Sequence, residues 1–153
     1  MNGLFLINGT EVEIDFPSDA TLVQLLRAHG YTEVKQGCSH GECGSCIILL
    51  EGNPVNACQI YAATVTGRKI TTGTGLSEFA SWSAVKNAMI RRGAVQCGFC
   101  TPGVMASAVA LLEHTPEPTV SEIAAALTGN LCRCTGYVKI VQAIKDAASE
   151  GEQ

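Results

Sequence analysis

At 153 residues, 46% of them apolar and 16% charged, the chain has room for one ordinary domain or two small ones. Disorder and a large two-domain enzyme with a deep cleft are excluded. The net charge of −4, with no basic run, argues against nucleic acid or an anionic membrane as partner. Low charge beside high apolar content predicts a surface partly covered by a tightly bound partner chain.

In chain order, Leu4 to Ile7 is a short apolar run and predicts a strand, followed by Asn8-Gly9, a strong hairpin signal. Val12, Ile14 and Phe16 alternate with Glu11, Glu13 and Asp15, the period of a half-buried strand. Leu22, Leu25 and Leu26 at helical spacing predict a helix over Thr21 to His29, stopped by Gly30. Ile47 to Leu50 predicts a strand ended by Gly52-Asn53-Pro54, and Lys69 to Thr72 a last one. The first half therefore reads as a small mixed sheet crossed by one helix.

The second half changes character after a linker near Gly73 to Ser77. Trp82, Val85 and Met89 share one face of a helix over Ser81 to Ile90. Thr101-Pro102 reads as an N-cap with proline at the first helical position. The segment that follows, to Glu113, is apolar nearly all round, as in a buried helix. Thr119 and Glu122 form a capping box for a third helix that Gly129 can end. Val138, Val141 and Ile144 mark a fourth. Four short helices predict a compact bundle.

Eight cysteines fall in two groups of four. The N-terminal region lacks the basic start and long apolar stretch of a secretory signal. No apolar run approaches the roughly 20 residues that span a bilayer. The chain thus reads as cytoplasmic, where cysteines serve as metal ligands more often than as disulfides. Cys38, Cys43, Cys46 and Cys58 have the spacing C-x4-C-x2-C-x11-C, whose opening matches plant-type [2Fe–2S] ferredoxins. The loop CSHGECGSC and the preceding Gly37 supply glycines that permit positive φ and let N–H groups approach sulfur. Cys97, Cys100, Cys132 and Cys134 have the spacing C-x2-C-x31-C-x1-C. Cys100 and Cys134 lie just before helix starts, where unpaired N–H groups and partial positive charge suit an anionic cluster. Structural zinc also takes four cysteines, so a zinc-stapled module stays open at this level. A Rieske centre does not, because each group already has four thiols.

Together VKQGCSHGECGSC, AVQCGFCTPG and GNLCRCTGY resemble the small iron–sulfur subunit of the xanthine oxidase family of molybdenum hydroxylases. The resemblance covers nearly the whole chain. It implies an α+β fold: a plant-ferredoxin-like β-grasp domain over residues 1–75 and an all-α four-helix-bundle domain over residues 76–153. Each would hold one [2Fe–2S] cluster. It implies a large molybdopterin-binding subunit and a medium FAD-binding subunit, in a dimer of heterotrimers. Substrate would be oxidised at molybdenum, with no catalytic residue on this chain. Electrons would pass through the cluster of Cys97, Cys100, Cys132 and Cys134, then that of Cys38, Cys43, Cys46 and Cys58, then to FAD. The resemblance also places Cys134 nearest the pterin and Gln96 in a hydrogen bond to it. From the residues alone, Gln96 is an ordinary polar loop residue. A free-standing two-cluster ferredoxin is the alternative, and it would need a more charged surface than this chain has. Tyr137 reads as packing at the last helix, His40 and Glu42 as solvated loop residues, and Trp82 as core or interface. Arg133 reads equally as a charge that tunes a cluster or as a bridge to a partner carboxylate.

Overall fold

The computed structural model describes residues 1–150; the last three residues of the expected 76–153 domain lie outside it. Strands β1 (Asn2–Ile7) and β2 (Thr10–Asp15) form an antiparallel hairpin. Asn8 and Gly9 turn it with φ of 50° and 79°, the doubly left-handed turn that matches strand twist. Helix α1 (Leu22–Ala28) buries Leu22, Val23, Leu25 and Leu26. Strands β3 (Ile47–Leu50), β4 (Asn53–Asn56) and β5 (Lys69–Thr71) complete a sheet of order β2-β1-β5-β3-β4. β5 runs parallel to β1, and the other pairs are antiparallel.

One strand corrects the sequence reading. Asn53 and Pro54 do not end the strand segment; they open β4. The chain reverses at Glu51 and Gly52, with φ of 52° and 81°. β4 lies at the sheet edge, where proline's missing N–H costs no ladder bond to a further strand.

Helices α2 (Trp82–Arg91), α3 (Thr101–His114), α4 (Val120–Ala126) and α5 (Val138–Glu150) form the second half. Every residue from Gly103 to Ala110 of α3 is buried, as its apolar composition requires. α5 presents Ile140, Ala143, Ile144 and Ala147, one stripe at helical spacing, to α2 and α4. Arg92 grips Asp146 in a two-pronged pair at 2.6 and 2.9 Å. Thr119 and Glu122 form the expected capping box. Two boundaries differ from expectation. Cys100, not Thr101, caps α3. α4 closes at Ala126 with Leu127 as its cap, before Gly129 is reached.

The two halves have separate cores that meet at β3. Ile48 and Leu50 belong to the core under α1, whereas Ile47 and Leu49 pack into the helical core. Covered on both faces, β3 is apolar at all four positions. The linker is tied rather than loose. Asn8 accepts the Thr72 N–H at 2.8 Å, and the Thr72 and Thr74 hydroxyls donate to Glu33 at 2.5 and 3.1 Å. Among the described residues, no helix is long and apolar enough to cross a membrane.

Candidate metal centres

The first centre is a loop wrapped around one sulfur. Between α1 and β3 the chain must turn repeatedly, and Ser39, Gly41 and Gly44 take φ of 61°, 81° and 68°. The turn aims three backbone N–H groups, of His40, Glu42 and Cys43, at the Cys38 Sγ, each at 3.4 Å. These donors hold the Cys38 thiol down to about 6, His40 contributing most. Gly37 serves by space rather than dihedral: a Cβ there would stand 2.9 Å from the Cys43 Sγ. The Ser45 hydroxyl lies 3.2 Å from that same sulfur. The fourth cysteine, Cys58, sits in a short 3-10 turn after β4 and takes the Gln59 amide at 3.4 Å. Burial pushes the Cys46 thiol up to about 11.

The second centre is built at helix ends. Cys97 and Cys100 precede α3; Cys132 and Cys134 lie in the loop before α5. The Cys97 and Cys134 Sγ atoms are 3.6 Å apart, and both residues are exposed. Cys100 neighbours Cys132, and burial drives its thiol up to about 12. Burial also acts to raise Cys132, but the Thr135 hydroxyl and nearby backbone N–H groups outweigh it and hold this thiol down to about 7. Its hydrogen bond to Cys97 raises Cys134. Each centre thus contains one thiol that hydrogen bonds hold down, Cys38 or Cys132, and one that burial pushes up, Cys46 or Cys100.

The cysteines of each group come together in twos. In the first, Cys38 neighbours Cys43, and Cys46 neighbours Cys58. In the second, Cys97 neighbours Cys134, and Cys100 neighbours Cys132. Two thiols for each of two irons is the arrangement a [2Fe–2S] centre needs, and the donor set fits it.

Several contacts were not visible in the sequence. Thr135 donates its hydroxyl to the Cys132 Sγ at 3.1 Å, and the Tyr137 phenol oxygen accepts the Cys132 N–H at 2.7 Å. His40 and Glu42 act through backbone N–H groups, which the sequence reading did not assign to them. Trp82 packs at the margin of the helical core, and Arg133 is exposed. The two loops also touch. The Leu131 N–H donates to the Cys43 carbonyl at 2.9 Å. Buried Asn130 reaches the Gly44 carbonyl at 3.5 Å and accepts the Ser107 hydroxyl at 2.9 Å. Gln96 donates to the Cys134 carbonyl at 3.2 Å, so it lies beside the cysteine with which the resemblance associates it.

A ferredoxin-like sheet domain and a helical domain, each presenting four thiols in two pairs, define a two-centre iron–sulfur protein. Residues 5–70 match the 2Fe-2S iron-sulfur cluster binding domain, and residues 72–145 the [2Fe-2S] binding domain. The chain is 44% identical over 142 residues to the nicotinate dehydrogenase small FeS subunit of Eubacterium barkeri, covering 92% of this chain and 90% of that one. It is 45% identical over 145 residues to the nicotine 6-hydroxylase small subunit of Paenarthrobacter nicotinovorans, covering 94% and 87%. The solved structure of quinoline 2-oxidoreductase from Pseudomonas putida 86 superimposes with a TM-score of 0.92 at 38% identity, covering 99% of this chain and 96% of that one. The chain belongs to the small iron–sulfur subunits of the xanthine oxidase family of molybdenum hydroxylases, which carry electrons within multi-subunit oxidoreductases.

Proposed function

We propose that this chain carries electrons from a molybdopterin centre on a large partner subunit to FAD on a medium one. The observation that carries this reading is the contact between the two thiol loops. Each [2Fe–2S] centre, once bound, takes up and returns one electron. Cys97, Cys100, Cys132 and Cys134 hold the molybdenum-side centre; Cys38, Cys43, Cys46 and Cys58 hold the flavin-side one. Cys134 and Gln96, both exposed, form the edge that meets the pterin. The bonded path from Cys132 to Cys43 runs through Leu131 and crosses a single hydrogen bond, from its N–H to the Cys43 carbonyl. Asn130 and Ser107 hold the loops in that register.

Division at residues 75/76 assigns one centre to each domain. Its support is that Ile70 packs in the sheet core and Leu76 in the helical core. Exposed apolar side chains near the second centre support a large partner there: Phe99 is 47% exposed, Leu131 57% and Val138 64%. Such surface is costly to leave in water. A cytoplasmic dimer of heterotrimers completes the proposal. Relatives named for nicotinate, nicotine and quinoline favour a nitrogen heterocycle as substrate. A free two-centre ferredoxin is less well supported, because a diffusing carrier would not keep this apolar surface.

Purification of the tagged chain from its native cell tests this assignment. The expected preparation elutes far above the chain's own 16.0 kDa and contains molybdenum and flavin beside iron. Iron-loaded chain that elutes alone, without either, would favour the free carrier.

A further inference from the structure

We propose that Thr135 sets the reduction potential of the helical-domain centre by donating its hydroxyl hydrogen to the Cys132 sulfur, and that Tyr137 is the positioning residue that aims it. This rests on the reading above that Cys132 is a ligand of that centre. Thr135 Oγ1 stands 3.1 Å from the Cys132 Sγ. A hydroxyl has one hydrogen and can rotate, so its direction depends on what occupies its lone pairs. Here the Tyr137 N–H donates to Thr135 Oγ1 at 3.3 Å, which leaves the hydrogen to point at sulfur. The Tyr137 phenol oxygen in turn accepts the Cys132 N–H at 2.7 Å. Cys132, Thr135 and Tyr137 thus close a ring of three hydrogen bonds.

The backbone shows that this ring is held in place. Tyr137 has φ of 67°, a left-handed conformation that bulky residues rarely adopt and that persists only where its surroundings hold it. Among the described residues, no other hydroxyl donates to a sulfur of this group. Thr135 is half-buried, so its bond to sulfur is only partly screened by water.

The consequence follows from charge. Each added electron increases the negative charge on the ligand sulfurs, so a donated hydrogen bond stabilises the reduced state more than the oxidised one and raises the potential. The bond acts on one thiol pair only. Cys132 pairs with Cys100 and follows Leu131, which contacts the Cys43 carbonyl, whereas Cys97 and Cys134 face outward. With a centre bound, Thr135 would therefore stabilise added charge on the side held by Cys100 and Cys132, beside the path to the first group of thiols. The transfer moves one electron and no proton. A bound centre would accept one electron from the molybdenum side and give one up to the other centre, while Thr135 keeps its hydrogen throughout.

The test is a potentiometric titration of the assembled holoenzyme, followed by electron paramagnetic resonance, for wild type, Thr135→Val, Thr135→Ala and Thr135→Ser. Thr135→Val and Thr135→Ala are expected to make the helical-domain centre about tenfold harder to reduce, a fall of about 59 mV for a one-electron couple. The ferredoxin-domain centre should titrate unchanged, and Thr135→Ser should restore the wild-type midpoint. Thr135→Ala is read if Thr135→Val does not assemble. Wild-type midpoints in both hydroxyl-free variants would overturn the proposal. So would a Thr135→Ser midpoint that falls with theirs, because the hydroxyl would then not be the cause. Absence of the second signal in the wild-type enzyme would instead overturn the ligand assignment.

Discussion

Gly44→Ala is expected to separate the two thiol loops. At this position a Cβ would collide with the Gly129 carbonyl, and the backbone φ is +68°. The neighbouring atoms are main chain on both sides: the added Cβ would also meet the Asn130 Cα at 3.0 Å, and Gly103 of α3 sits against the Gly44 carbonyl. Neither side can give way by changing a rotamer, so the domains must move apart. Moving them disrupts the Leu131-to-Cys43 and Asn130-to-Gly44 contacts together. A cost of about 3–5 kcal/mol is expected, the range of severe core disruptions. Gly52→Ala is the control. Its φ is +81° with nothing within 4 Å of the added Cβ, so it should cost about 1–2 kcal/mol from the dihedral alone. Denaturant unfolding of both iron-loaded variants checks the difference. Equal losses would mean that the loops are not in close contact.

Cys134→Ser and Cys43→Ser should damage different centres. Cys134 shares the exposed pair with Cys97 in the second centre, so its loss should remove the helical-domain signal. Turnover with every acceptor that draws electrons beyond that centre should fall by about 100-fold or more, since even outer contacts to a metal site are worth 10–100-fold. Cys43→Ser should remove the ferredoxin-domain signal and leave the helical one, because the two groups of thiols occupy separate domains. Rapid-mixing measurement of flavin reduction by substrate checks both. Normal flavin reduction in Cys134→Ser would contradict the proposed electron route.

Most of the fold was legible because local signals and tertiary demands agree. Asn8-Gly9 takes the turn its chemistry favours, Thr119 and Glu122 cap α4, and the α3 and α5 patterns match the faces they bury. β4 was not legible, because Pro54 argues against a strand unless the strand is known to be at an edge. The cap of α3 was misplaced by one residue because Thr101-Pro102 is a strong local signal, whereas the first helical bond already closes on the Cys100 carbonyl, from the Val104 N–H at 3.0 Å. The thiol groups were legible from spacing. Their division into pairs was not, since spacing does not state which sulfurs meet. Thr135 and Tyr137 escaped for a similar reason: the roles of both depend on a left-handed tyrosine that composition does not foretell.

Spin-counted electron paramagnetic resonance of the dithionite-reduced native protein tests the central claim most directly. Two distinct signals, with one spin from each of the two centres in every chain, are expected from [2Fe–2S] centres in different surroundings. A chain that binds zinc and gives no signal would contradict the electron-transfer account and leave a structural module.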